Sequence, residues 1–391
     1  MTTWLLKLGE LTLKGKNLKS FESVLKRNLL AMLSSKGLSN VRVTTRNGRF
    51  YVYSAGGETE NALVENVLCR LFGITGWART VSCTKNVSDI MAVCVEEAKK
   101  LFESGAATYK VEARRADKSF PLDSYQICVS AGGAIAQAVG GLKVNVRNPD
   151  CIIYVEVREK VYVYSDAKKG LGGLPVGTAG RGLLLLSGGI DSPVAGFLMA
   201  GRGMGIDALH FHSYPYTSLE AKQKALDAAA VLGSYTMGLR LYVVAFTTVQ
   251  LKIKESAPQS WITVLLRMAM MECAEKLAEK IKSKCLVSGE SLSQVASQTI
   301  ENLTCIQSRV NVPVLRPLIG SDKDSIITTA RKIGSYEISI RPHQDCCMLF
   351  NPPHPVLHGD AAQAGQLYEA LELSPLIDEA LASCETVTCG C

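Results

Sequence analysis

The chain opens on a largely apolar stretch, TWLLKLGEL, that reads as a strand, and Leu18 to Lys36 then repeats apolar positions at helical spacing. Two further strands, VRVTTRN and GRFYVYSA, are joined through Asn47–Gly48, a hairpin signal. A βαββ order of this kind predicts a small α+β unit. Residues 61–166 repeat the mixture: a helix ending near Gly73, a helix from Ser88 to Ser104, the strand TYKVEARR, a helix through Ala131–Gly140, and the strands IIYVEVRE and VYVYSD.

KKGLGGLPVGTAGRG, rich in glycine, is the best domain boundary, and beyond it the pattern changes. GLLLLSGGIDSPVAGFLMAGRG reads as a continuous apolar strand, a glycine turn and an amphipathic helix. IDALHFHS, LRLYVVAF and KCLVSGE are further short apolar runs with helix-length segments between them. Strands buried on both faces and alternating with helices predict a doubly wound parallel α/β sheet. Ligands in such sheets sit beyond the carboxyl ends of the strands, where Ser187, His210, Phe246 and Ser288 to Glu290 fall.

Ser187-Gly188-Gly189-Ile190-Asp191-Ser192 is the sharpest local signal. It follows a strand and opens a helix, so its backbone N–H groups face an anion, and its glycines let the main chain approach closely. A tight strand–helix turn would use the same residues, and both readings stand at this level. It is neither a GxxxxGK[ST] loop nor a GxSxG elbow, since Leu185 replaces the first glycine of the latter.

Composition narrows the partner. Of 391 residues, 47% are apolar and 20% charged, which is globular, and no apolar run approaches the roughly 20 residues of a membrane span. Lys7 interrupts the opening too early for a secretory signal, so the cytoplasm is the expected location and no membrane partner is expected. Residues 1–175 carry 25 Lys/Arg against 16 Asp/Glu, a net +9, while the remainder carries 18 against 20, a net −2. So basic an N-terminal half points to a polyanion. Its clearest cluster is Lys110, Arg114, Arg115 and Lys118 with Phe120 behind, and Lys14 and Lys16 beside Gly15 form a second; a solvated charged turn is the alternative for each. Most of the thirteen cysteines stand singly in apolar stretches, and the absence of any CxxC pair argues against a zinc ribbon.

The form SGGxDS resembles the pyrophosphate loop of the ATP pyrophosphatases. LKLGELTLKGKN, TYKVEARRADKSFPLDS and SGESLSQVASQT together resemble the tRNA 4-thiouridine synthetase family, and the second of these is similar to the signature of the THUMP domain. KVNVRNPDCIIYVEVRE, GLGGLPVGTAG and Asp345-Cys346-Cys347 continue the likeness, which runs in one order from residue 4 to 358. The resemblance implies a ferredoxin-like domain at 1–60, a THUMP RNA-binding domain at 61–167, a linker at 168–180 and a pyrophosphate-loop domain at 181–391.

By position, the resemblance implies that ATP lies against Leu185, Leu186, His210, Phe211, Arg267, Gly289 and Gln298, with its pyrophosphate on Ser187, Gly188, Gly189, Asp191 and Ser192 and Mg²⁺ on Asp191. Cys346 corresponds to the catalytic cysteine, which takes persulfide sulfur from a cysteine desulfurase or another donor; a buried structural pair is the alternative. The implied partner is tRNA, gripped by its acceptor stem, and the implied assembly is a homodimer. Longer members carry a rhodanese domain, for which the roughly 45 residues after Cys346 are too few. A separate protein, or direct delivery to Cys346, is expected instead. Cys347, Cys384, Cys389 and Cys391 are candidates to resolve or relay sulfur, the last three on a tail expected to be mobile; an iron–sulfur role is open but unsupported by spacing, and incidental cysteines are the alternative. Ser293 and Leu18 depart from the family's usual Gly and Arg. Two rivals remain: a non-sulfur ATP pyrophosphatase acting on RNA, and a catalytically silent RNA-binding protein. Asp322-Lys323-Asp324 reads most simply as a helix N-terminal charge cluster.

Overall fold

The computed structural model describes residues 1–46, 48–342 and 352–390, so Asn47 of the predicted hairpin, Cys346, Cys347 and Cys391 lie outside the described residues. The chain divides into two compact units, Met1–Gly173 and Leu174–Cys391.

In the first unit, β1 (Thr2–Leu8), α1 (Leu18–Ser35), β2 (Arg42–Arg46), β3 (Arg49–Ser54), α2 (Glu58–Arg70) and β4 (Ile74–Cys83) are followed by α3 (Val87–Glu103), β5 (Thr108–Arg115) and α4 (Ser124–Ala138). β6 (Lys143–Val144), β7 (Cys151–Val157), β8 (Val161–Tyr164) and β9 (Ala167–Lys169) complete it. Among the described residues these strands form one sheet in the order β2-β3-β1-β4-β8-β7-β5-β6, with β9 also on β4. β4 joins its two halves: residues 74–80 pair antiparallel with β1, and Val81 to Cys83 pair with β8. β1 is central, and Trp4, Leu5 and Leu6 are wholly buried. Asp123 starts α4 with a reciprocal cap, accepting from Gln126 N–H while the Gln126 side chain accepts from its own N–H. Residues 74–83, which carry no predicted strand, are the longest strand of the unit.

The second unit contains β10 (Arg181–Leu185), α5 (Asp191–Gly201), β11 (Gly205–His212), α6 (Leu219–Thr236), β12 (Leu239–Ala245), α7 (Thr247–Ser256), α8 (Ile262–Lys280), β13 (Leu286–Val287) and α9 (Ile300–Gln307). Then come β14 (Val314–Leu315), α10 (Lys323–Ile333), α11 (Tyr336–Ser339), α12 (Ala361–Glu369), α13 (Ser374–Ala382) and β15 (Glu385–Cys389). Its sheet runs β14-β13-β10-β11-β12-β15, parallel except for the last strand. The chain moves from β10 toward β12 and then returns to the other side of β10 with β13, which opens a crevice at the carboxyl ends of those strands. α8 is buried along most of its length and forms the middle of the hydrophobic core.

Among the described residues the tail is a strand, not a loose segment. Glu385 to Cys389 pairs antiparallel with β12, Glu385 opposite Val243 and Cys389 opposite Leu239. Its reading as a loose segment fails because a polar, half-exposed strand carries little hydrophobic pattern of its own; the edge of β12 orders it.

Candidate active site

The turn after β10 is pre-shaped by its own serines. Ser187 N–H donates to Ser192 Oγ at 2.9 Å, Gly189 N–H donates to Ser187 Oγ at 3.2 Å, and Ser192 Oγ donates to the Ser187 carbonyl at 3.2 Å. Asp191 and Ser192 begin α5, so the free amides of its first turn point out of the loop. Gly289, just after β13, packs on this helix start: a Cβ there would lie 2.8 Å from Ser192 N and 2.9 Å from Ser192 Cα.

A cleft of about 850 Å³ opens at this edge, lined by Leu185, Leu186, Ser187, Asp191, Ser192, His210, Phe211, Arg267, Gly289 and Gln298. Every residue assigned to ATP by the resemblance therefore either faces one cleft or, for Gly188 and Gly189, forms the turn at its rim. His210 Nδ1 stands 3.0 Å from the Leu186 carbonyl, an acceptor, which places the ring proton on Nδ1. Phe211 packs on Phe246 with ring centroids 4.7 Å apart. Gln298 is buried, and its Oε1 has no partner among the described residues. Mixed apolar walls with a few convergent polar groups suit a nucleotide.

Sequence reasoning missed several neighbours. Lys323 Nζ lies 2.6 Å from Asp191 Oδ1, and Gln294 Nε2 donates to Asp191 Oδ2 at 2.9 Å. Asp322 does cap α10, accepting from Ser325 N–H at 2.8 Å, but the side chain of Lys323, the first residue of that helix, reaches Asp191. No local signal could have linked it to a residue 132 positions away. Met270 and Met271 also line the cleft, as does Glu290, which its place at a strand end predicts. Among the described residues no group of three His, Cys, Asp or Glu side chains gathers to hold a metal.

The flanks of the 343–351 segment are tied to the same walls. Ser339 Oγ donates to the Gly189 carbonyl at 3.2 Å. On the far side Asn302, wholly buried, donates through Nδ2 to the Ala296 and Val356 carbonyls at 2.7 and 2.8 Å. Cys389 is buried, paired opposite the first residue of β12, at the sheet edge away from the cleft. Burial also pushes the Cys384 thiol up, with Glu385 adding to that and Lys280 opposing it. A relay through Cys389 would require β15 to unpair.

In the first unit, Arg114, Arg115 and Lys118 line an open groove together with Arg49, Lys85 and Arg158. Arg115 Nη1 donates to the Phe120 carbonyl at 3.0 Å, so part of its fork holds the turn in place. Lys110 is paired with Glu112 at 2.8 Å and lies outside that lining; Lys14 sits over the Phe21 ring at 5.3 Å, in the same short helical turn as Lys16. Beneath the groove, Glu156 accepts from Arg158 Nε at 2.7 Å and Tyr164 Oη at 3.0 Å. Burial works against its charge, but Arg158, Arg49 and Tyr164 outweigh that and hold its carboxyl below the usual range.

The fold and site define a class: an α+β half with a ferredoxin-like and a THUMP part, followed by an α/β pyrophosphate-loop domain. Residues 3–78 match the ThiI ferredoxin-like domain, 84–166 the THUMP domain, and 177–373 the family described as thiamine biosynthesis protein (ThiI). The chain is similar to a "Probable tRNA sulfurtransferase" of Treponema pallidum (strain Nichols), 47% identical over 97% of this chain and 94% of that one. It is 43% identical to one of the same name from Caldanaerobacter subterraneus subsp. tengcongensis, over 96% of each. Among solved structures, a 4-thiouridine synthetase–RNA complex with bound ATP matches at a TM-score of 0.90 and 35% identity, covering 100% of both chains. The chain belongs to the ThiI family.

Proposed function

We propose that this chain is an ATP-dependent tRNA sulfurtransferase that converts a uridine, expected at position 8, to 4-thiouridine. Uracil O4 attacks the α-phosphorus of ATP, forming an O–P bond while pyrophosphate leaves. The amides and serines of residues 187–192 hold that pyrophosphate as charge develops on it. The terminal sulfur of a persulfide on Cys346 then attacks C4 and AMP departs. A second thiol must cleave the resulting S–S bond, taking Cys346 into a disulfide and leaving sulfur on the base. Cys347, Cys384 and Cys391 are the candidates for that thiol, and Cys389 joins them only if β15 unpairs.

The observation that carries this reading is the convergence on one cleft of the SGGIDS loop, Arg267, Gly289 and Gln298, with the flanks of the Cys346 segment tied to the loop and to the Gln298 turn. A silent RNA-binding protein would have no use for so complete a nucleotide site. A non-sulfur pyrophosphatase would leave Cys346 idle. On Asp191, Mg²⁺ would have a single protein carboxylate beside phosphate oxygens, and it would displace Lys323 Nζ or Gln294 Nε2, which hold the two oxygens of that carboxylate. The sulfur donor on this reading is a cysteine desulfurase or another persulfide carrier, the setting the cytoplasm and the assembly a homodimer. The matching family is described as a thiamine biosynthesis protein, and sulfur supply to the thiazole of thiamine is a second use that this reading allows.

The test is mass spectrometry of tRNA incubated with the protein, ATP, Mg²⁺, a desulfurase and cysteine. A 4-thiouridine signal lost in Cys346→Ala is expected. Full product from Cys346→Ala would refute the sulfur step.

A further inference from the structure

The cleft wall holds a charged group to which the phosphate-loop reading gives no task. Glu290 is buried, and its two oxygens are shared between arginines from different elements. Oε1 accepts from Arg267 Nη1 at 3.0 Å, and Oε2 accepts from Arg316 Nε at 2.8 Å. Arg316, the residue after β14, is steadied in turn by donating from Nη1 to Gln307 Oε1 at 2.6 Å. Neither arginine is saturated: among the described residues Arg267 Nε and Arg316 Nη2 are buried without a partner.

A buried ion triad is a poor device for stability alone, since apolar side chains of similar volume would hold α8 against β14 at least as well. What the triad does provide is direction. Arg267 reaches the cleft from α8 on a long side chain whose rotamers would otherwise have to be frozen each time a ligand bound. Glu290 is well placed to do the freezing beforehand. Its backbone follows Gly289, which is packed against Ser192, so carboxylate and phosphate loop keep a set spacing.

We propose that Glu290 is a positioning residue for nucleotide binding, holding the Arg267 guanidinium against the cleft wall with Arg316 bracing the carboxylate from behind. The inference rests on the reading that this cleft holds ATP. An arginine oriented in advance loses less freedom on binding, so removing the brace weakens capture of ATP more than it slows the bound complex.

The experiment follows tRNA-dependent AMP formation at varied ATP, with a desulfurase and cysteine supplying sulfur and the unfolding temperature of each variant as control. Glu290→Gln is expected to raise KM for ATP roughly tenfold or more, with kcat falling less than about threefold. Arg267→Lys should raise KM similarly, and the double variant should be no worse than Arg267→Lys alone. A Glu290→Gln KM within twofold of the original, or effects that multiply in the double variant, would overturn the proposal. Should Glu290→Gln not fold, Arg316→Lys replaces it, because it keeps the charge but loses the fork; an unchanged KM there overturns the proposal equally. Absence of tRNA-dependent pyrophosphate release by the unaltered protein would sink the ATP reading itself, whereas turnover with an insensitive Glu290→Gln sinks this inference only.

Discussion

Replacing Gly289 by alanine asks whether the phosphate loop and the end of β13 work as one rigid body. The added Cβ would sit 2.8 Å from Ser192 N, 2.9 Å from Ser192 Cα and 3.0 Å from the Asp191 carbonyl carbon. All three are backbone atoms at the start of α5, so no flexible side chain can swing away. Relief requires the loop or β13 to move by roughly half an ångström or more, because ordinary carbon contacts lie near 3.5–4.0 Å. Overpacking of that kind costs about 1–3 kcal/mol, or about 2–12 °C in Tm for a domain of this size. Function should suffer more than stability, since the displaced amides are those that would face the phosphates. KM for ATP should rise at least about tenfold, following the rule that small misplacements of positioning groups are costly. Gly320→Ala is the matched control: it lies in the same unit, and its Cβ meets nothing within 4 Å. Thermal unfolding and ATP-dependent pyrophosphate release, measured on both variants, settle the matter. Unchanged Tm and KM in Gly289→Ala would refute the close-packing argument.

Lys323→Met removes the cation beside Asp191 and should lower pyrophosphate release about a hundredfold or more while tRNA binding persists; retained activity would return Lys323 to a surface role. Glu156 should make the first unit sensitive to acid. Its carboxyl is held below the ordinary glutamate range, so its contribution is present above that range and is lost as pH falls through the depressed folded value. Glu156→Gln should cost about 3–5 kcal/mol near neutrality, because Arg158 is left buried beside a neutral group, and the loss should shrink below pH 4; urea titrations from pH 3 to 7 measure both. Arg114→Ala and Lys118→Ala should each weaken tRNA binding and reduce the slope of log K against log salt by about 0.7–0.9, and an unaltered slope would remove that residue from the phosphate contacts.

How far the sequence could be read differs element by element. TYKVEARR was legible to the residue, because a strand flanked by two parallel neighbours carries its own β-forming, part-buried pattern. ITGWARTVSC was not. Gly76 and the small or polar Thr75, Ala78, Thr80 and Ser82 blur its periodicity, and its place as the strand joining two half-sheets comes from β1, β8 and β9. The glycine turn was legible because phosphate recognition by backbone amides needs consecutive residues, and so leaves a contiguous signature.

Sequence alone determined the α+β then α/β order, the phosphate-type turn, and, through the resemblance, which scattered residues would share a site. Only the tertiary structure decided that Lys323 and Gln294 hold Asp191, that Glu290 ties Arg267 to Arg316, and that the tail is an edge strand. The physical reason is range. A turn or an amphipathic helix is written in neighbouring residues, whereas an ion pair or an edge pairing depends on side chains brought together from distant parts of the chain by a core that must fold first.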